Sequence, residues 1–182
     1  MKGTLILLTT LAAAPPSLAG DNESAVPPGA SAPANTAAPM ADPRAATALK
    51  SLGYEYSLTA DQDFKLVFEV SDDKRTQVVI VNSNTEIFDK AEIREVWSPA
   101  LTVDDPIDAA LAQRLLKAND TYKLGAWRLL SVEEKGGKPQ LFVVFAAQID
   151  ANAPASMLSA ALDMVSQKAD ELEKEIAKVD EH

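Results

Sequence analysis

The side chains in this chain that could do chemistry are few, and their spacing limits each of them. Ser71-Asp72-Asp73-Lys74 has the Ser-x-x-Lys spacing by which a lysine activates a serine nucleophile. That chemistry needs the serine to open a helix, whereas this tetrad separates two strand-like runs and fits a polar turn. Asp61 and Asp63 offer oxygen ligands to calcium, but the glycine and distal glutamate of a calcium-binding loop are missing. Asp104 and Asp105 have the look of a metal pair. With Pro106 and Asp108 following, they fit a helix start better: a carboxylate at the cap, proline at the first helical position and a carboxylate near the positive end of the dipole. Carboxylate pairs for glycoside hydrolysis stay open, as in any acidic chain. His182 is the single histidine and cysteine is absent, which excludes Ser-His-Asp and Cys-His nucleophilic systems and the usual zinc sites. The expectation is a non-enzyme without cofactor or metal.

The elements that would position any site centre on residues 63–97. Phe64, Leu66, Phe68 and Val70 occupy alternate positions, the period of a strand with one face on a core. A β-branched run, 77–82, follows, then Asn82-Ser83-Asn84 as a turn and a third strand over 87–97 that Ser98-Pro99 ends. Ahead of this meander, residues 45–52 form a short helix carrying Leu49 and Leu52, with Gly53 as its stop. Behind it, Ile107, Leu111, Leu115 and Ala118 share one face of a second helix closed by Asn119-Asp120.

Strands over 121–132 and 140–149 then flank a loop with Gly136-Gly137 at its tip. The run from Leu141 to Ala147 is apolar without alternation, so it is expected in the interior of the sheet with both faces covered, one by the chain's own helices and the other by a second subunit or a partner. The final helix, 154–179, repeats apolar residues four and three apart at Leu158, Leu162, Val165, Ala169, Leu172, Ile176 and Val179, a heptad seam. Asp170 and Lys174 form an i,i+4 pair expected on its solvated face, and the half beyond Leu172 is expected to be free to meet another helix.

Residues 1–19 stand apart from the fold. Lys2, the apolar run Thr4 to Ala14 and Ser17-Leu18-Ala19 give the three regions of a secretory signal peptide cleaved after Ala19. Residues 20–41, rich in Ala, Pro, Ser and Asn, are expected to be a disordered linker, leaving 42–182 as one domain. No later stretch is long and apolar enough for a transmembrane helix. The protein is therefore expected to be exported, most simply to a bacterial periplasm. Its formal net charge of −10 opposes binding to nucleic acid and to anionic lipid.

The element order is α-βββ-α-ββ-α, an α+β fold with an antiparallel sheet packed by helices. With Leu52-Gly53-Tyr54 closing the first helix, Ile93-Arg94-Glu95-Val96 late in the third strand and the long last helix, residues 45–177 resemble the type III secretion chaperone-like fold, and within it the YbjN-like group of bacterial domains. The resemblance implies a binding module, often dimeric, with no catalytic residues to carry over. Secretion chaperones are cytoplasmic, and the export signal departs from that pattern.

Large aromatics dominate interface energetics, so Trp97, Trp127 and Phe142 are the candidate partner-binding residues. The functional expectation is an exported, non-enzymatic protein-binding module of the cell envelope, with a protein partner or a homodimer. The alternative is a small-ligand carrier or enzyme with a pocket between the sheet and the last helix.

Overall fold

A computed structural model describes residues 40–70, 75–132 and 139–180, with side chains to residue 176. The expected signal peptide and most of the linker lie outside the described residues. So do Ser71 to Lys74, the glycine loop at 133–138, the Val179 side chain and His182.

The first helix, α1 (Pro43–Ser51), starts where a cap and a proline coincide. The Asp42 carboxylate accepts the Arg44 N–H at 2.8 Å and Pro43 opens the helix. At the other end Gly53 takes a φ of +78°, so that its N–H reaches Lys50 O and the Tyr54 N–H reaches Leu49 O. These two bonds make a Schellman motif, and the left-handed position it requires is one that glycine occupies at little cost.

Six strands follow: β1 (Ser57–Leu58), β2 (Phe64–Glu69), β3 (Thr76–Phe88), β4 (Ala91–Val103), β5 (Ala126–Val132) and β6 (Gln140–Asp150). They form one antiparallel sheet in the order β1-β2-β3-β4-β6-β5. Helix α2 (Ala109–Asn119) carries the chain from β4 past the position of β6 to the far edge, and α3 (Ala155–Asp180) ends the fold. The α+β class and the order of its main elements are as the sequence implies; β1 is an addition.

All three helices lie on one face. Phe64 and Leu66 of β2, Val79 and Val81 of β3, Val96 of β4 and Val143, Phe145 and Ala147 of β6 meet Leu49 of α1, Leu115 of α2 and Leu162, Val165 and Ala169 of α3. The heptad seam of α3 is spent on this core. Leu158, Leu162, Val165, Ala169 and Leu172 are buried and Ile176 packs against the same cluster, so the seam stays on the core as far as Ile176, the last side chain described. Asp170 is buried as well, bonded to Lys174 and, across from β3, to Arg75, each at 2.9 Å. Arg75 pulls onto the sheet side a carboxylate that the helical period alone assigns to solvent.

Four boundaries differ from the sequence reading. Asn82-Ser83-Asn84 is no turn but a register shift inside β3, and the hairpin turns instead at Asp89-Lys90, leaving Ile87 and Phe88 on β3. The sheet itself satisfies the polar triplet: Asp63 accepts the Ser83 N–H at 2.7 Å, and Asn82 receives bonds from Arg94 and Trp97. Ser98-Pro99 does not end β4. Pairing of β3 with β4 stops at Ile80 and Trp97, and there the Gln77 amide donates to Pro99 O at 2.6 Å and to Ser98 Oγ at 3.0 Å. A proline N lacks a hydrogen, and a position where the ladder has already opened is one that tolerates it.

The third boundary concerns α2. Asp108, not Asp104 or Asp105, is its cap, accepting the Leu111 N–H at 2.8 Å. Residues 121–125 form a turn ahead of β5, whose first strand residue is Ala126. Gly125, at φ +83°, is the hinge of that turn, and a Cβ there would lie 2.6 Å from the Phe145 ring.

Candidate interaction face

Strand alternation gives the sheet a second face, and its composition makes it the candidate site. Opposite the core lie Val67 of β2, Val78 and Ile80 of β3, Trp97 of β4, Phe142, Val144 and Ala146 of β6, and Arg128 and Leu130 of β5. Among the described residues no helix covers this face. The apolar pattern of β6 thus has its expected inner layer in the helices, and its outer layer is not supplied by any described element.

The face is nonetheless ordered. Trp97 is held by a hydrogen bond from its Nε1 to Asn82 Oδ1 at 2.9 Å. Trp97 pairs with Ile80 on one side and Ala146 on the other. Arg128, opposite Val144 of β6, reaches across that strand to form an ion pair with Glu95. Ile80, Val144 and Ala146 are buried by these taller neighbours. Between them Asp63, Asn82, Glu95, Trp97, Arg128, Leu130 and Val144 line a depression of about 160 Å³. Burial pushes the Asp63 carboxyl up, with Asp61 adding to the shift. The face thus holds an aromatic anchored by a hydrogen bond, an apolar surround and a charged rim.

An ionic chain on the helix side fixes the sheet beneath this face. Arg94 is 2% exposed and forms an ion pair with Asp42, itself 8% exposed, while also donating to Asn82 O. Asp42 in turn pairs with Arg44 at 2.7 Å, and Arg44 grips Glu92 at 2.6 Å and Asn152 at 3.0 Å. Burial alone would raise the Asp42 carboxyl, but hydrogen bonds from Arg44 and Arg94 together hold it well below the usual carboxylate range. Arg44, with the Thr85 hydroxyl, lowers Glu92 to about 2. Glu92 and Asp42 in turn keep Arg44 protonated. The chain joins α1, the β3-β4 hairpin and the β6-α3 connection.

The three aromatics singled out from the sequence separate. Trp97 and Phe142 are half-buried on the outer face, Phe142 opposite Thr102 and Leu130. Trp127 belongs to the core. It is 8% exposed, meets Phe145 edge to face at 5.0 Å and donates from Nε1 to Tyr122 Oη at 3.4 Å. Its place follows from the strand pairing, because Trp127 stands opposite Phe145 and shares its face. Its backbone is also closed off at the sheet edge, where the Asn119 amide accepts the Trp127 N–H at 2.7 Å and donates to its carbonyl at 3.3 Å.

Missed in the sequence reading were Ile80, Val144 and Leu130 as partners of Trp97, although the four-residue β-branched run Val78 to Val81 carries the same two-sided signal as β6. Arg94 was missed as a buried charge; alternation with Val96 assigns it to the core face. Among the described residues no three His, Asp or Glu side chains cluster as metal ligands. Under the middle of α3 the sheet is packed by Leu66, Val81, Val96, Leu162, Val165 and Ala169, while toward the C-terminal end of that helix Thr102, Val103, Leu111, Leu141 and Ile176 line an open depression of about 1180 Å³.

No family model matches this chain. No curated protein matches it either. Among solved structures it is similar to the crystal structure of YbjN from E. coli, at 14% sequence identity, over 70% of this chain and 89% of that one, with a TM-score of 0.38. This is a distant likeness of fold.

Proposed function

We propose that the chain is an exported, non-enzymatic protein-binding module of the bacterial cell envelope, of the YbjN-like group, which engages a protein partner across the outer face of its sheet. The observation that carries this reading is an apolar strip that no described element covers, in which half-buried Val78, Trp97 and Leu130 lie over the buried Ile80 and Val144, with Trp97 held by a hydrogen bond. The formal charge of −10 supports a protein partner over nucleic acid or anionic lipid. Export rests on the three-region pattern of residues 1–19, and intact-mass analysis of envelope protein beginning at Gly20 tests it.

The binding reading is tested by cross-linking and pull-down from the native envelope, with the parent beside a Trp97→Ala, Leu130→Ser variant of unchanged circular dichroism. A partner retained by the parent and lost by the variant is the expected result. A partner captured equally by both would move the contact off this face.

A further inference from the structure

Strand β5 closes the sheet, so one of its sides has no neighbouring strand. At Trp127 that side is taken by a side-chain amide: Asn119 accepts the Trp127 N–H at 2.7 Å and donates to the Trp127 carbonyl at 3.3 Å. Main-chain groups point to alternate sides along an antiparallel strand, and the pairing of β5 with β6 runs unbroken from Ala126 to Val132. The Leu129 N–H and C=O therefore leave the sheet at the same edge as those of Trp127, about 7 Å further along. No described residue bonds them.

Beside this free donor and acceptor, on the helix side, Ile107, Ala112, Leu115, Leu116, Trp127 and Leu129 surround an open apolar cavity of about 190 Å³. An apolar cavity of about 150 Å³ accepts benzene, so this one has room for an aromatic ring. Its inner wall is held in place: Trp127 meets Phe145 edge to face at 5.0 Å, and its indole N–H donates to Tyr122 Oη at 3.4 Å. The lining includes one charged residue, Arg128, and its guanidinium is engaged by Glu95 on the outer face. A charged ligand would lose its hydration here and meet no free partner.

We infer that the α2-β5 edge is a binding site for a small neutral aromatic carboxamide. The ring occupies the cavity, and the carboxamide bridges the Leu129 N–H and C=O as the Asn119 amide bridges those of Trp127. The site lies at the sheet edge and on the helix side, and does not rest on the outer-face reading.

The test is a titration of the full chain with benzamide, followed in nitrogen-proton correlation spectra by the indole signals of its two tryptophans, which Trp97→Phe assigns. The Trp127 signal should shift saturably, with half-saturation at about 1 mM or below, while the Trp97 signal stays in place. Benzoate, which brings a charge, and toluene, which lacks the amide, should each bind about fivefold or more weakly. Ala112→Phe fills the cavity and should abolish the response, and an unchanged Trp97 signal shows that this variant stays folded. A Trp127 signal that benzamide does not move, benzoate or toluene binding as tightly as benzamide, or a folded Ala112→Phe variant that binds like the parent would overturn the inference.

Discussion

Arg94 and Asp42 form an ion pair that is all but removed from solvent, joining the first part of β4 to the cap of α1. A charge at the core of a sheet is stable only with its partner in place, since the desolvation cost of each ion is several kcal/mol. Arg94→Met alone takes from Asp42 its buried partner and leaves it the half-exposed Arg44, so the cost should fall below the about 3–5 kcal/mol of a buried charge left with no partner. Urea denaturation of Arg94→Met and of an Arg94→Met, Asp42→Asn double variant, which keeps an α1 cap, checks this: the double variant should recover part of the loss.

The same chain of charges sets the response to acid. Asp42 and Glu92 have depressed carboxyls, so the stability they contribute is present above their unfolded values of 3.8 and 4.5 and is lost as pH falls through the folded ones. Asp63 and Glu173 are shifted upward, chiefly by burial, and act in the opposite sense, adding stability as pH falls toward their unfolded values. Stability should peak at mildly acidic pH and fall steeply below about pH 4. Melting temperature against pH measures this, and Asp63→Asn with Glu173→Gln should flatten the rise without shifting the acid fall.

Two glycines with nearly the same backbone angle should respond differently to a methyl group. At Gly53 a Cβ meets nothing within 4 Å, and the cost of Gly53→Ala is the left-handed backbone alone, about 1–2 kcal/mol. At Gly125 the same methyl group lies 2.6 Å from Phe145 Cε1 and 2.8 Å from Ala146 O, so Gly125→Ala adds the displacement of a buried ring, about 1–3 kcal/mol more. Chemical denaturation of the two variants side by side gives the difference directly.

The two tryptophans divide stability from binding. Trp127→Ala empties a core position and should cost about 3–5 kcal/mol. Trp97→Ala, at a half-buried surface site with a single hydrogen bond, should cost less and weaken partner capture. Thermal melts set beside pull-down yield separate these effects.

The course of the fold was legible wherever hydrophobic period and end signals agreed. Asp42-Pro43 and Leu52-Gly53 frame α1 by cap chemistry that is local in sequence, and the apolar run of β6 announced an interior strand. Two of the misread boundaries share one cause, which is that polar residues with turn propensity were satisfied by distant partners. Asn82 and Ser83 bond to Trp97, Arg94 and Asp63, and Ser98-Pro99 to Gln77, so long-range bonds replaced the local turn. Trp97 and Phe142 were legible as candidates because they are large aromatics on strands. Trp127 was not separable from them, since its face is fixed by its pairing with Phe145, a register that no local pattern encodes.

The central claim, that the outer face of the sheet meets a protein partner, is tested most directly by photo-cross-linking in the native envelope. A photoreactive side chain is installed at Val78 or Leu130 on the outer face, or at Thr47 on the exposed side of α1. One discrete adduct from positions 78 and 130, and none from 47, is the predicted result. An adduct from position 47 alone, or equal adducts from all three, would contradict it.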